Sequence, residues 1–252
     1  MSETGFFDIL LIAWFILALV MFVVLFFIAA PYGRHNRRGW GPSIGNKMGW
    51  IIMEAPSPII FTLLFIIGDN AISVTAVIFL TMWLVHYVHR SFIYPFSLSS
   101  TNRMPLFIIG SGIGFNLVNA YLNGRWLFTF SGGYDNRWLT DPRFILGVVL
   151  FAGGYFINRR ADSSLRRLRR PGESGYGICN QGLYRWVSCP NYLGEIVIWA
   201  GWAVATWSLA GLAFALWTLA NLAPRAWAHH LWYRQQFPDY PQERKALVPG
   251  LW

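Results

Sequence analysis

Charged side chains are scarce in this 252-residue chain: 12% of residues are Asp, Glu, Lys or Arg, about half the share of an ordinary soluble domain. Acidic residues are the rarer kind, 11 against 20 Lys and Arg, for a formal charge of +9 at pH 7. Cysteine is nearly absent. Cys179 and Cys189, with nine residues between them, fall in a segment expected to face a reducing compartment, so no disulfide is expected. Their spacing fits no common metal pattern either. There is no internal repeat, no low-complexity tract and no linker announcing a second domain. These absences argue against an ordinary soluble domain and a disulfide scaffold.

What is there instead is apolar length. Hydrophobic residues make up 55% of the chain and aromatic residues 18%, and apolar runs long enough to cross a bilayer recur along it. Seven spans are expected, near 6–30, 50–67, 71–93, 105–123, 143–158, 193–209 and 211–231, in a single all-α membrane domain. The opening MSETGFFD is acidic where a signal peptide would be basic, so the first run reads as a retained helix. Pro56 and Pro58 should kink the second span or make it start irregularly.

The basic charge sits in the loops, which argues for topology and against nucleic acid. Seventeen Lys and Arg fall in the 31–49, 90–104 and 159–192 segments and in the tail from Arg225, all on one side of a seven-span arrangement. Only Arg125, Arg137 and Arg143 fall on the other. The positive-inside rule then puts the N-terminus outside and the C-terminus in the cytoplasm. The GSGIGF run at 110–115 misses the dinucleotide fingerprint by one residue and follows no strand. Gly110 and Gly114 read as a G-x-x-x-G helix-packing pair.

Ionisable groups inside a bilayer are costly and so mark functional candidates. Glu54, in GWIIMEAPSP, lies about one turn inside the second span, beside prolines that free backbone groups. A shallow carboxylate that snorkels to the interface is the competing reading. The stretch LVHYVHR, 84–90, reaches similar depth at the end of the third span, and Trp83, Tyr87, Arg90 and Tyr94 share one helical stripe. His86 and His89, at i and i+3 without a nearby carboxylate, are a weak metal pair, and no metal site is expected. Taken alone, this group is equally a polar interfacial belt.

Six arginines lie between Arg159 and Arg170 in the 159–192 loop, with Asn158 just before it, Asp162 and Asn191 within it and Glu195 just after it. Attraction to anionic lipid explains the arginines but not the carboxylates and amides. A cofactor with phosphates, ribose hydroxyls and an amide would use both, arginine forks for the phosphates and carboxylate or amide partners for the hydroxyls. Arg225, His229 and Tyr233 follow at i, i+4 and i+8 on one face of the last span.

HYVHRSFIYP, NRRADSSLRRLRRPGESGY, PNYLGEIVIWAGWAVATWS, RAWAHHLWY and the closing FPDYPQERKALVPGLW resemble the steroid 5-alpha-reductases, or 3-oxo-5-alpha-steroid 4-dehydrogenases. The likeness is densest over the last 95 or so residues and reaches upstream to PYGRH at 31–35. It implies a seven-helix membrane enzyme that uses NADPH to reduce the Δ4 double bond of 3-oxo steroids. Glu54 and Tyr87 match the pair that binds the substrate's C3 carbonyl. Asn158, Asp162, Arg166, Arg169, Tyr176, Asn191, Glu195, Arg225, His229 and Tyr233 match positions that hold NADPH, and Tyr32, Arg90 and Tyr94 are additional candidates. Met53 departs from the family, which often has Gln there. The implied partners are a steroid or steroid-like lipid and the membrane, which is the inner membrane in a bacterium and the endoplasmic reticulum in a eukaryote; no obligate protein partner is evident.

Three rivals remain at the level of sequence. A reductase of enoyl thioesters or other sterol bonds would keep the cofactor and change the substrate. An isoprenylcysteine-type methyltransferase shares a basic cytoplasmic C-terminal region but uses S-adenosylmethionine. A transporter would need a polar pathway and repeats that the chain lacks.

Overall fold

The computed structural model describes residues 1–28, 41–97, 103–168 and 177–252. Tyr32, Arg169 and Tyr176 lie outside these described residues. Within them the chain forms eight α-helices: α1 (Glu3–Phe27), α2 (Asn46–Glu54), α3 (Pro56–Ile66), α4 (Val74–Val88), α5 (Leu106–Arg125), α6 (Pro142–Leu168), α7 (Pro190–Thr206) and α8 (Leu209–Gln236). The only paired strands described are β1 (Ser43–Gly45) and β2 (Arg103–Pro105), antiparallel with Ile44 opposite Met104.

Five stretches are long and apolar enough to cross a membrane: Glu3–Phe27, Asn46–Ile66, Val74–Ser97, Leu106–Phe130 and Pro142–Leu168. They coincide with the first five expected spans. Large apolar residues such as Ile9, Ile12, Ile16 and Leu19 of α1 are exposed, which suits helices solvated by lipid chains. Helices α7 and α8 occupy the expected sixth and seventh positions. The first has 17 residues, and in the second Asn221, Pro224 and Arg225 interrupt the apolar run.

Local chemistry explains the ends of these helices. The second stretch breaks at Ala55, after which Pro56 begins α3. Proline is tolerated there because a first-turn N–H has no helical acceptor. Ser73 caps α4 by accepting from the Ala76 N–H at 3.0 Å. Past Val88 the helix widens into a π-turn, His89–Ile93, and tightens into a 3₁₀ turn, Tyr94–Ser97. One expectation needs correction: residues 159–168 are not loop but the last turns of α6. Arginine is a good helix former, no proline intervenes before Pro171, and the helix continues past its apolar part.

Contacts divide the chain into two compact units. One contains the described residues of Met1–Leu11, Pro31–Ile145 and Ser208–Ala210; the other those of Ile12–Ala30, Leu146–Trp207 and Gly211–Trp252.

In the first unit, α5 packs against α2 and α3 along a seam set by small residues. A Cβ on Gly112 would collide with the Met53 side chain, and one on Gly124 would lie 2.8 Å from Leu64 Cδ1. The G-x-x-x-G expectation is corrected here: Cβ atoms on Gly110 and Gly114 would meet nothing within 4 Å among the described residues. The packing face of α5 is the neighbouring one. Glu3 also joins this unit through a bidentate pair with Arg125, 2.7 Å from Nε to Oε1 and 2.6 Å from Nη2 to Oε2.

In the second unit, α6 and α7 meet backbone to backbone. Gly147 and Gly154 on α6 and Gly194 and Gly201 on α7 recur at seven-residue spacing. A Cβ on Gly154 would sit 2.5 Å from Ile198 N, and one on Gly201 2.5 Å from Phe151 N. Small residues in register permit this approach where apolar solvent offers no hydrophobic drive to associate. Trp14 of α1 joins the same unit, accepting at its carbonyl from Trp217 Nε1 at 2.9 Å.

Candidate active site

In the first unit the buried aromatic and polar groups gather where α2 ends and α4 runs into its π-turn. Trp83 and Tyr87, one turn apart, stack with ring centres 5.1 Å apart, and Phe61 of α3 lies on Trp83 at 4.2 Å with an interplanar angle of 6°. Tyr87 is buried, so its hydroxyl is carried on a rigid three-ring stack joining α3 to α4. Glu54, half-buried at the last position of α2, accepts from Asn116 Nδ2 of α5 at 3.2 Å. The same amide nitrogen donates to Met53 O at 2.9 Å.

Three side-chain oxygens of this unit are buried without a hydrogen-bond partner among the described residues. They are Asn116 Oδ1, Ser57 Oγ one turn beyond Glu54, and Ser91 Oγ one turn beyond Tyr87. Unpaired buried oxygens are costly, and groups of them mark places where a ligand or water completes the set. Arg90 is packed rather than projecting: its guanidinium lies 4.5 Å from the Trp50 ring centre and 4.8 Å from that of Tyr94. His86 and His89 are both buried, with His86 edge-on to Tyr87 at 5.1 Å.

In the second unit the close α6–α7 seam assembles a carboxyl–amide cluster. Gly194 lies against the Asn158 backbone, and this proximity lets the Asn158 side chain bridge both ends of the first turn of α7. Asn158 Nδ2 donates to Asn191 O and to Glu195 Oε2, each at 3.0 Å. Trp199 Nε1 donates to the other Glu195 oxygen at 3.0 Å. Asn191 Nδ2 in turn donates to Asp162 Oδ1 at 3.2 Å. Four of the residues singled out by sequence, on two helices, thus form one connected network.

Arg225 and His229 of α8 meet Tyr192 of α7 in the same unit. Arg225 Nε donates to Tyr192 OH at 3.0 Å, and the Tyr192 and His229 rings lie 5.5 Å apart. His229 Nδ1 is 3.7 Å from Cys189 Sγ. Tyr233, one turn on, stacks on Tyr240 at 5.2 Å with a 9° interplanar angle. Both cysteines are buried free thiols.

Among the buried donors of this unit with no partner among the described residues are Arg166 Nη1, one turn after Asp162 on α6, and the Tyr184 hydroxyl. Burial, with the negative field of Asp162 added, pushes the Tyr184 hydroxyl well above the ordinary tyrosine range, so it is a neutral donor at physiological pH. Tyr184 packs with Ala161, Leu165 and Cys179. Sequence reasoning missed it, because an aromatic in a loop has no periodicity to flag it. Asn116 was missed too, although its signal was present: Asn116, Asn119 and Asn123 line one face of an otherwise apolar helix, and all are buried.

The C-terminal segment closes this unit. Ser188 Oγ lies 2.7 Å from both His230 Nδ1 and Tyr240 OH. The Ser188 and Cys189 N–H groups donate to Lys245 O and Ala246 O at 2.9 and 3.2 Å. Buried Arg244 donates to Cys179 O at 3.0 Å and also to Asn180 Oδ1. The chain after α8 is therefore the clasp of the 177–189 segment.

Fold and site together define a helical protein with several apolar helices of membrane-crossing length, carrying in each unit a partly buried cluster of carboxyl and amide groups. Residues 102–252 match the family model described as 3-oxo-5-alpha-steroid 4-dehydrogenase. The chain is 41% identical to the steroid 5-alpha-reductase DET2 of Gossypium hirsutum over 100% of its own length and 99% of that protein's. It is 39% identical to 3-oxo-5-alpha-steroid 4-dehydrogenase 1 of Homo sapiens, over 87% of this chain and 85% of the other. The chain belongs to the 3-oxo-5-alpha-steroid 4-dehydrogenase family of oxidoreductases.

Proposed function

We propose that this protein reduces the Δ4 double bond of 3-oxo-Δ4 steroids to 5-alpha-3-oxosteroids with NADPH. It does so as a seven-span membrane protein with its N-terminus outside and its basic segments and C-terminus in the cytoplasm. The observation that carries the reading is likeness along the whole chain to proteins named steroid 5-alpha-reductase. The orphaned buried donors beside the Asp162 network add to it. Arg166 Nη1 and the Tyr184 hydroxyl suit phosphate and hydroxyl acceptors, and the carboxylates of Asp162 and Glu195 suit ribose hydroxyls or a carboxamide. The residues present therefore fit a pyridine dinucleotide. Asn158, Asp162, Arg166, Asn191, Glu195, Arg225, His229 and Tyr233 would hold it, together with Arg169 and Tyr176.

NADPH, when bound, supplies the hydride. The chain's own task is to make the substrate accept it at C5. A conjugated alkene does so only if the negative charge that moves onto the C3 oxygen is stabilised. Tyr87 is assigned as the donor to that oxygen, with its ring held by Trp83 and Phe61, and Glu54 as the partner that orients it. A donor built into a dry site loses nothing to reorganisation as charge develops. C4 then takes a proton from solvent or from a nearby acid, which restores the ketone.

The test is NADPH oxidation by the detergent-purified protein with a panel of 3-oxo-Δ4 steroids, with products identified by mass and stereochemistry. Formation of 5-alpha-3-oxosteroid is expected. Oxidation only with enoyl thioesters or other sterols would transfer the assignment to the related reductases, and methyl transfer from S-adenosylmethionine would overturn it.

A further inference from the structure

We propose that Asn116 is a positioning residue of the reaction: it clamps the Glu54 carboxyl to the backbone at the end of α2. This inference rests on the assignment of Glu54 to the carbonyl-binding pair. The orientation of the amide is settled by one of its partners. Met53 O can only accept, so the side of Asn116 that faces it at 2.9 Å is the NH2 group, and the second hydrogen of that group is the one aimed at Glu54 Oε2, 3.2 Å away. Both donors of one planar amide thus hold two consecutive residues of α2, and the carboxyl is tied to the main chain that carries it.

The clamp is placed where α2 is least able to hold Glu54 by itself. Pro56 and Pro58 follow at once. They have no N–H to bond the carbonyls of Ile52 and Glu54, the acceptors four residues before each. The helix that should fix the Glu54 side chain therefore ends under it. Support comes from α5 instead, and the seam explains how: Gly112 admits the Met53 side chain, and Asn116, one turn further on the same face, arrives at Met53 O and Glu54.

Structural need alone does not account for this asparagine. It is almost wholly buried, 2% exposed, and its Oδ1 has no hydrogen-bond partner among the described residues. Asn119 and Asn123 on the same face instead bond their own helix, donating to Phe115 O and Asn119 O. Asn116 spends its donors on another helix, α2. An amide kept in the protein interior with one end unsatisfied is a cost retained for what the other end holds.

The experiment is a double-mutant cycle on the full-length protein with Asn116→Leu and Glu54→Gln, reading kcat, KM for steroid and NADPH affinity separately. Loss of the clamp misplaces the carboxyl, and misplacement of that order costs up to about a hundredfold in rate. Asn116→Leu is expected to lower kcat by roughly tenfold to a hundredfold with NADPH affinity unchanged. In the Glu54→Gln background the same change should cost less than about twofold, because coupled residues are not additive. Asn116→Ala, which also removes both donors and adds no charge, should match Asn116→Leu, and melting temperatures near the parent's exclude a folding defect. Equal losses in both backgrounds, or unchanged kcat in either Asn116 variant, overturn the inference while leaving Glu54 in its role. Wild-type turnover in Glu54→Gln overturns the role of Glu54 and the inference with it.

Discussion

Gly194 lies so close to Asn158 that a Cβ on the glycine would stand 2.5 Å from the asparagine's backbone nitrogen. The side chain of that same asparagine donates to Asn191 O and Glu195 Oε2 across the contact. Packing and chemistry are thus one arrangement here: the missing methyl sets the helix separation, and the separation sets the hydrogen bonds.

Gly194→Ala should accordingly disturb both. Overpacking a tight interior contact costs about 1–3 kcal/mol, and here the clash is with backbone. A lowered melting temperature in detergent is expected, together with weakened NADPH binding. Gly153→Ala on α6, where a Cβ would meet nothing within 4 Å, is the control and should melt near the parent.

Removing the oxygen of Tyr87 or replacing the carboxyl of Glu54 by an amide should cost turnover and not cofactor binding. Loss of a donor aimed at developing charge lowers kcat by about 10²–10³. Tyr87→Phe keeps the Trp83 stack, so its melting temperature should stay near that of the parent. Steady-state kinetics with parallel NADPH titration separates the two effects, and near-parental kcat in both variants would remove the pair from the mechanism.

Arg166→Ala tests the other unit. Hydrogen bonds to charged groups contribute about 1.5–3 kcal/mol, so the dissociation constant for NADPH should rise by roughly one to two orders of magnitude. The KM for steroid, taken at saturating NADPH, should move little. Tyr184→Phe should give a smaller loss in the same direction, since it removes a neutral donor. Quenching of intrinsic tryptophan fluorescence by NADPH measures both.

Ser188→Ala should loosen the C-terminal clasp without touching substrate. It leaves His230 Nδ1 and Tyr240 OH without the serine oxygen that lies 2.7 Å from each, at a cost of about 1–3 kcal/mol for a buried unsatisfied group. Limited proteolysis within 237–252 should become faster at temperatures where the parent resists.

The two thiols should be slow to alkylate in the folded protein. Both are buried, and burial pushes the Cys179 thiol above its ordinary value, so the reactive thiolate is depleted at pH 7 and grows only as pH rises. Maleimide labelling followed by intact mass should find both cysteines protected in the native protein at pH 7 and both labelled after denaturation. Rapid native labelling of Cys179 would contradict its burial.

The places of the helices were legible because a bilayer leaves few options. A backbone in lipid must bond to itself, so long apolar runs become helices, and the ends of α1 and α5 and the start of α6 fall within a few residues of those expected. The broken second span was legible from Pro56 and Pro58 for the same covalent reason. The arginine-rich continuation of α6 was not, since charge predicts solvent and says nothing about whether the backbone goes on turning.

Much of the site could be read from residue types, less of it from spacing. Asn158 and Glu195 stood out as polar groups at the ends of apolar runs, but nothing in the sequence paired them, because 37 residues separate them. Asn116 was hidden among three asparagines whose different partners follow from which face of α5 meets α2.

By itself, then, the sequence determined the order of the apolar helices, the polar residues among them and the family to which the chain belongs. All of these depend on local composition and on motifs in linear order. Only the tertiary structure decided which glycines bring helices together, which amide holds Glu54, and that Asp162, Asn191, Asn158 and Glu195 form one network. Those facts depend on how two helices are rotated about their axes, and a shift of one residue turns a different set of side chains, about 100° away, into the contact.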